Sequence, residues 1–276
     1  MPKTFIRNCL NICSNTRLVL EQMFFIPYVF IYFLGSILST ESLLIELKKD
    51  NFVSLRETID QDVSSRLLTK LNAIESKHDI LYLYINSPGG DVMAGFEIIN
   101  YIKSLQKRSK QIICIGHNAM SMAFAIFQYC TQRYILYSST LMQHQMSLHV
   151  KGKLYDLNSR MKYLNLIEHT INHDQATRLN MTLASFTQLI QNDWWLYADD
   201  IIQHKAADKL VSIYCSFDNY EENVIIQTMF GDVNVKYSAC PLINYPIHIT
   251  YPTINFSENN KLDFINTHIN FMKNIM

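Results

Sequence analysis

The sequence predicts an α/β fold, a layered domain built from βαβ units around a parallel sheet. Two observations carry this. ILYLYI (80–85) and QIICI (111–115) are unbroken apolar runs, as expected of strands covered on both faces. Around them lie helical stripes: Val63, Leu67, Leu68, Leu71 and Ile74 within 60–76, and Val92, Phe96, Ile99 and Ile102 within 92–105. Strands alternating with helices of this length imply parallel pairing through crossover helices.

The elements follow in order. NFVSL (51–55) reads as a short strand, 60–76 as a helix, 80–85 as a strand and NSPGG (86–90) as a turn. A helix at 92–105, a strand at 111–115 and an apolar helix from Ala119 to Tyr129 come next. RYILY (133–137) and LMQHQ (141–145) read as strands. A long helix spans about Lys153 to Leu179, with Leu154, Leu157, Met161, Leu164 and Ile171 at heptad-like spacing, an apolar seam suited to a neighbour. Shorter helices are expected at 183–191 and 199–207, and KLVSIY (209–214) closes the sheet. After Cys215 the pattern changes to β-like pieces (NVIIQTMF, VNVKYSA, PIHITY) and a final helix. The chain thus divides into a polar segment 1–21, a hydrophobic segment 22–40, an α/β domain 41–215 and a C-terminal extension 216–276 that carries no legible chemistry.

Composition narrows the function. The 276 residues are 49% hydrophobic and 17% charged, enough apolar material for a sizeable core. A net charge of zero without a basic stripe argues against nucleic acid as a partner. The six cysteines form no C-x-x-C pair, so no zinc or redox motif is present, and Cys114 within IICI reads as a buried core thiol. No metal or cofactor is expected.

Between Glu21 and Glu41 lie 19 uncharged residues, close to the length of a membrane-crossing helix. Lys3, Arg7 and Arg17 precede them and Glu41 and Glu46 follow, a bias that suits an N-terminus left in the cytoplasm with the rest translocated. A membrane anchor or signal segment is the expectation for 22–40. A buried or surface-docked helix, and with it a cytoplasmic protein, is the alternative. Asn180-Met181-Thr182 and Asn255-Phe256-Ser257 match the glycosylation triplet, which is frequent by chance.

Four short motifs carry chemistry. INSPGG (85–90) before a helix is a tight turn whose N–H groups can cradle an oxyanion. GHNAMSMAFAIF (116–127) places Ser121 at a strand-to-helix junction, where a serine is ordinarily just a helix cap. LMQHQ brings His144, and NDWW brings Asp193. In this order the motifs resemble the ClpP peptidase family. YLYINSPGGDVMAGFEIINYI is similar to its Y-I-N-S-P-G-G stretch and A-G helix. LMQHQ is similar to its M-I-H-Q segment, and IQNDWWLYADDII with AADKLVSI to its R-D-x-F/W segment and closing strand. The resemblance spans about residues 51–214.

It implies the layered ClpP/crotonase-like fold of repeated ββα and βαβ units with a protruding long helix. It also implies a Ser-His-Asp serine endopeptidase that cuts polypeptides and assembles into homo-oligomeric rings. Ser121 would be the nucleophile, His144 the general base and Asp193 the residue that holds the imidazole. The N–H groups of Gly90 and Met122 would form the oxyanion hole. The long helix would be the handle where rings meet. The loops that engage an ATPase partner have no recognisable counterpart. Two departures matter. The family reads G-x-x-x-S-M, whereas Gly116 here stands one residue further from Ser121, and an ungapped overlay puts Met120 at the nucleophile position. QMSLHVKGK (145–153) has one glycine where the family has several.

Other residues read as structural. His117 is expected as a loop histidine beside the substrate groove. His169 and His173 are expected on a solvated helix face. Asp91 is expected as a helix N-terminal carboxylate, and Trp194 and Trp195 as core packing that buries Asp193. Two further functions compete with the peptidase: a catalytically inactive ring scaffold, and an acyl-CoA enzyme on the same fold.

Overall fold

β3 (Ile80–Ser87) and β4 (Gln111–Met120) form the two apolar runs as adjacent parallel strands at the centre of a seven-stranded sheet. The computed structural model describes residues 43–216, 221–228, 231–243 and 246–250. With β1 (Leu43–Leu47), β2 (Phe52–Leu55), β5 (Gln132–Gln143) and β7 (Lys209–Cys215), the sheet order is β1-β7-β5-β4-β3-β2, all parallel. A short β6 (Trp194–Tyr197) pairs antiparallel with β5.

Alternation along the strands divides the core. Leu81, Leu83, Ile85, Ile112 and Cys114 face the larger cluster beneath the helices. Tyr84, Ile113, Ile115 and Tyr134 face a smaller one with Ile45, Leu47, Val211 and Ile213. The larger cluster is covered by α1 (Gln61–Glu75), α2 (Val92–Lys107) and α3 (Met122–Gln128). Asp60 and Asp91 cap the first two, each accepting a backbone N–H (Val63 and Ala94) at 2.8 Å, as expected for Asp91. The long helix is α4 (Leu154–Arg178), followed by α5 (Leu183–Leu189) and α6 (Asp199–Gln203).

Several expectations are corrected. The apolar helix expected from Ala119 starts at Met122, because Asn118, Ala119 and Met120 are held as strand between β3 and β5. The two strands expected at 133–137 and 141–145 are one strand, β5. Cys114 is not a free thiol: it bridges to Cys130, which lies 5.8 Å away between Cα atoms just past α3. β1 and β6 were not expected.

Residues beyond β7 form a separate antiparallel sheet, β8 (Glu221–Thr228), β9 (Gly231–Ser238) and β10 (Pro246–Thr250), in the order β10-β9-β8. A Cys215–Cys240 disulfide ties β9's end to β7. The hydrophobic segment 22–40 and the expected final helix lie outside the described residues. Among the described residues, no helix is long and apolar enough to cross a membrane.

Candidate active site

Ser121 alone makes the corner between β4 and α3, at φ 54° and ψ −121°. A non-glycine residue held there costs about 1–3 kcal/mol and persists only where its surroundings impose it. Its N–H donates to Met142 O at 2.9 Å, which fixes the corner to β5. Ala198 takes nearly the same conformation, φ 47° and ψ −118°, at the β6-to-α6 corner. The strain therefore belongs to this type of corner, and the hydroxyl is what Ser121 adds. Met120 is a strand residue opposite Met142.

β4 carries a bulge in this segment. Ile85 pairs with Gly116 but Asn86 pairs with Asn118, so His117 is bulged out of the ladder. His117 is thus not a loop residue. Its Nδ1 lies 3.0 Å from the Tyr84 hydroxyl and its Nε2 3.5 Å from Ser138 Oγ. Burial holds its pKa below the ordinary histidine value. Burial likewise pushes the Tyr84 phenol up to about 12.

His144 is the first residue past β5 and is half-buried. β5 and β6 pair with Met142 opposite Trp195 and, as the last pair, Gln143 opposite Trp194, so His144 leaves β5 where Asp193 leads into β6. Past His144 the register shifts: Gln145 N–H donates to Ile190 O at 3.0 Å and its side-chain Nε2 to Gln191 O at 3.1 Å. Among the described residues, no hydrogen bond or ion pair joins the side chains of Ser121, His144 and Asp193. Trp194 packs on Phe124 and Phe186, but Trp195 is 53% exposed and Asp193 is exposed. Alternation in β6 explains this, because only Trp194 and Leu196 face inward. The expected burial of Asp193 by both tryptophans is therefore absent in the single chain.

The SPGG turn lies against the same corner. A Cβ on Gly89 would sit 2.5 Å from Met120 O, 2.8 Å from Met122 N and 2.8 Å from Ser121 Cβ. Gly89 O accepts from Ile59 N–H at 2.8 Å, so the trans peptide directs the Gly90 N–H the opposite way. Ser121 N–H is engaged by Met142, whereas Met122 N–H belongs to the first turn of α3, which has no intrahelical acceptor. His169 and His173 are exposed on α4, rings stacked 6.4 Å apart.

The Clp protease family model matches residues 38–213. The chain belongs to the Clp protease family. It is 28% identical over 170 residues to ATP-dependent Clp protease proteolytic subunit 2 of Tropheryma whipplei (strain Twist), covering 59% of this chain and 92% of that protein. It is 27% identical over 168 residues to proteolytic subunit 1 of Bacillus cereus (strain ATCC 10987 / NRS 248), covering 60% and 86%. The mostly parallel α/β architecture fits this membership. Sequence reasoning passed over Gln143 and Gln175, whose buried amides meet behind His144. The available signal was a polar residue in the inward row that Leu141 begins.

Proposed function

We propose that the chain is a serine endopeptidase of Clp type that hydrolyses peptide bonds through Ser121, His144 and Asp193. The observation that supports this reading is where the β5–β6 pairing ends, at Gln143 and Trp194, the chain neighbours of His144 and Asp193, on the strand whose Met142 holds the Ser121 corner. His144 takes the proton from Ser121 Oγ as it attacks the carbonyl carbon, then delivers it to the leaving amine. Water enters by the reverse route and releases the acid from the acyl-serine. Asp193 orients the imidazole and stabilises its charged form. Gly90 and Met122 N–H groups receive the oxyanion, and loss of one such donor costs about 10²–10³ in rate. Catalytic hydrogen bonds are often long before substrate binds, and the open triad is compatible with that.

The two relatives are named as subunits of ATP-dependent proteases. Assembly of this chain into a homo-oligomeric ring and use of an ATPase partner are proposals on that basis. Membrane association through 22–40 rests on the sequence alone.

The test is a fluorophosphonate probe, which reacts with a serine activated by a base, applied to the full chain. The parent should label, and Ser121→Ala and His144→Ala should abolish labelling. A folded parent that stays unlabelled would instead identify an inactive scaffold, and binding of an acyl-CoA would favour the hydratase-like alternative.

A further inference from the structure

Behind His144 lies a polar contact that the core pattern does not call for. Leu141 and Gln143 share the inward-facing row of β5, and Gln143 is only 5% exposed. An unpaired amide there would be costly. Gln143 Nε2 donates to Gln175 Oε1 at 2.5 Å, and Gln143 Oε1 accepts the backbone N–H of His144 at 3.0 Å. Gln175, on α4 and 1% exposed, donates its Nε2 to Ile171 O at 3.1 Å.

The ends of this chain fix the middle. The His144 peptide can only donate and the Ile171 carbonyl can only accept. Both amides must therefore point one way, and flipping either places donor against donor or acceptor against acceptor. One turn further along, Glu168 on the same face of α4 accepts the Met146 N–H at 3.2 Å. Residues 143–146 are thus pinned to α4 on one side and to Ile190 and Gln191, which lead to Asp193, on the other.

We propose that the buried Gln143–Gln175 amide pair is a positioning device for His144, setting the peptide that carries the imidazole and hence its angle to Ser121. This rests on the peptidase reading for its catalytic consequence. Gln143 and Gln175 are positioning residues, touching neither substrate nor the reacting atoms. Gln143→Met keeps the shape and removes the amide. Gln143→Glu keeps an acceptor for the His144 N–H, but the Gln175 amide must turn its NH₂ toward the carboxylate and give up its bond to Ile171 O.

The experiment measures two things on the full chain: amide hydrogen exchange at His144, and the rate of fluorophosphonate labelling across pH. Gln143→Met should raise exchange at His144 about tenfold or more. It should slow labelling roughly ten- to a hundredfold, the loss expected from misplacing a catalytic group by about 1 Å. Gln143→Glu, which keeps the acceptor for the His144 N–H, should fall between the parent and Gln143→Met in both. A folded Gln143→Met protein with parental exchange and a parental labelling profile would overturn the proposal, because the pair would then be core filling. Should the parent fail to label, the peptidase reading falls while exchange at His144 still decides whether the pair holds the peptide.

Discussion

At the scale of single residues, the site depends on positions that cannot carry a side chain and on one that carries a strained serine. Gly89 has φ +92°, and a Cβ there would meet backbone atoms of Met120 and Met122 that cannot turn aside. Gly89→Ala should therefore push on the Ser121 corner itself. We expect a stability loss of about 2–3 kcal/mol, read from the urea midpoint, from a conformation that alanine resists. Labelling of Ser121 should fall by at least tenfold, since the displaced atoms adjoin both the proposed nucleophile and the Met122 N–H. Parental stability and labelling together would show that the turn can give way. A reader of the sequence could see the serine and the two glycines but not the alignment of Ser121. The His117 bulge supports the Ser-Met alignment proposed for Ser121, and a bulge is a property of two strands together.

At the scale of elements, what was legible follows from how each element is stabilised. β3 and β4 are covered on both faces and announce themselves as apolar runs, and α1 and α2 carry their own aspartate caps. β6 has four residues and exists through pairing with β5, so no local pattern marks it. The Cys114–Cys130 and Cys215–Cys240 bridges join residues that only the fold brings together. The same holds for the joint among α3, β5, α4 and the turn before β7. Arg133, 3% exposed, meets Asp208 Oδ1 at 2.6 Å and Gln128 Oε1 at 2.5 Å, and Arg178 lies 3.5 Å from Asp208 Oδ2. Burial raises the Asp208 pKa, but hydrogen bonds and charge from Arg133 outweigh it and hold the carboxyl below its ordinary value. Asp208→Asn leaves a buried guanidinium without its carboxylate. The expected loss is about 2–3 kcal/mol, below the ~3–5 of a fully enclosed pair because Asp208 is partly exposed. The sign with pH follows. Because the folded pKa is depressed, the unfolded chain binds more protons in the window below about pH 4, and this stability is lost as pH falls through it. Thermal melts should show the parent losing more stability than the variant on acidification through that window.

At the scale of the whole molecule, α4 is the element that the chain leaves incompletely used. Its buried residues, Ile171, Asn172, Gln175 and Ala176, all lie in its C-terminal half. In the N-terminal half Leu154 is 69% exposed, Tyr155 86%, Tyr163 52% and Leu166 65%. Leu157, Met161 and Leu164, the middle of the expected seam, are only half-buried. A run of exposed apolar side chains along one helix marks a contact surface more often than a free one. Family membership proposes the occupant, a second copy of this chain. Leu154→Glu combined with Leu166→Glu tests it, because neither side chain supports the chain's own core. Light scattering should show the parent as an oligomer and the double variant shifted toward single-chain mass. Thermal stability of the dissociated form should change by no more than about 0.5 kcal/mol, as for ordinary surface substitutions. A parent that remains a single chain at micromolar concentration would remove the self-assembly proposal. It would also leave Asp193 exposed to water, so the test of assembly bears on how well the proposed triad can be screened from solvent. The joint outcome, an oligomer whose dissociation slows Ser121 labelling while the fold persists, would connect α4 to the site through the Gln175 and Glu168 contacts.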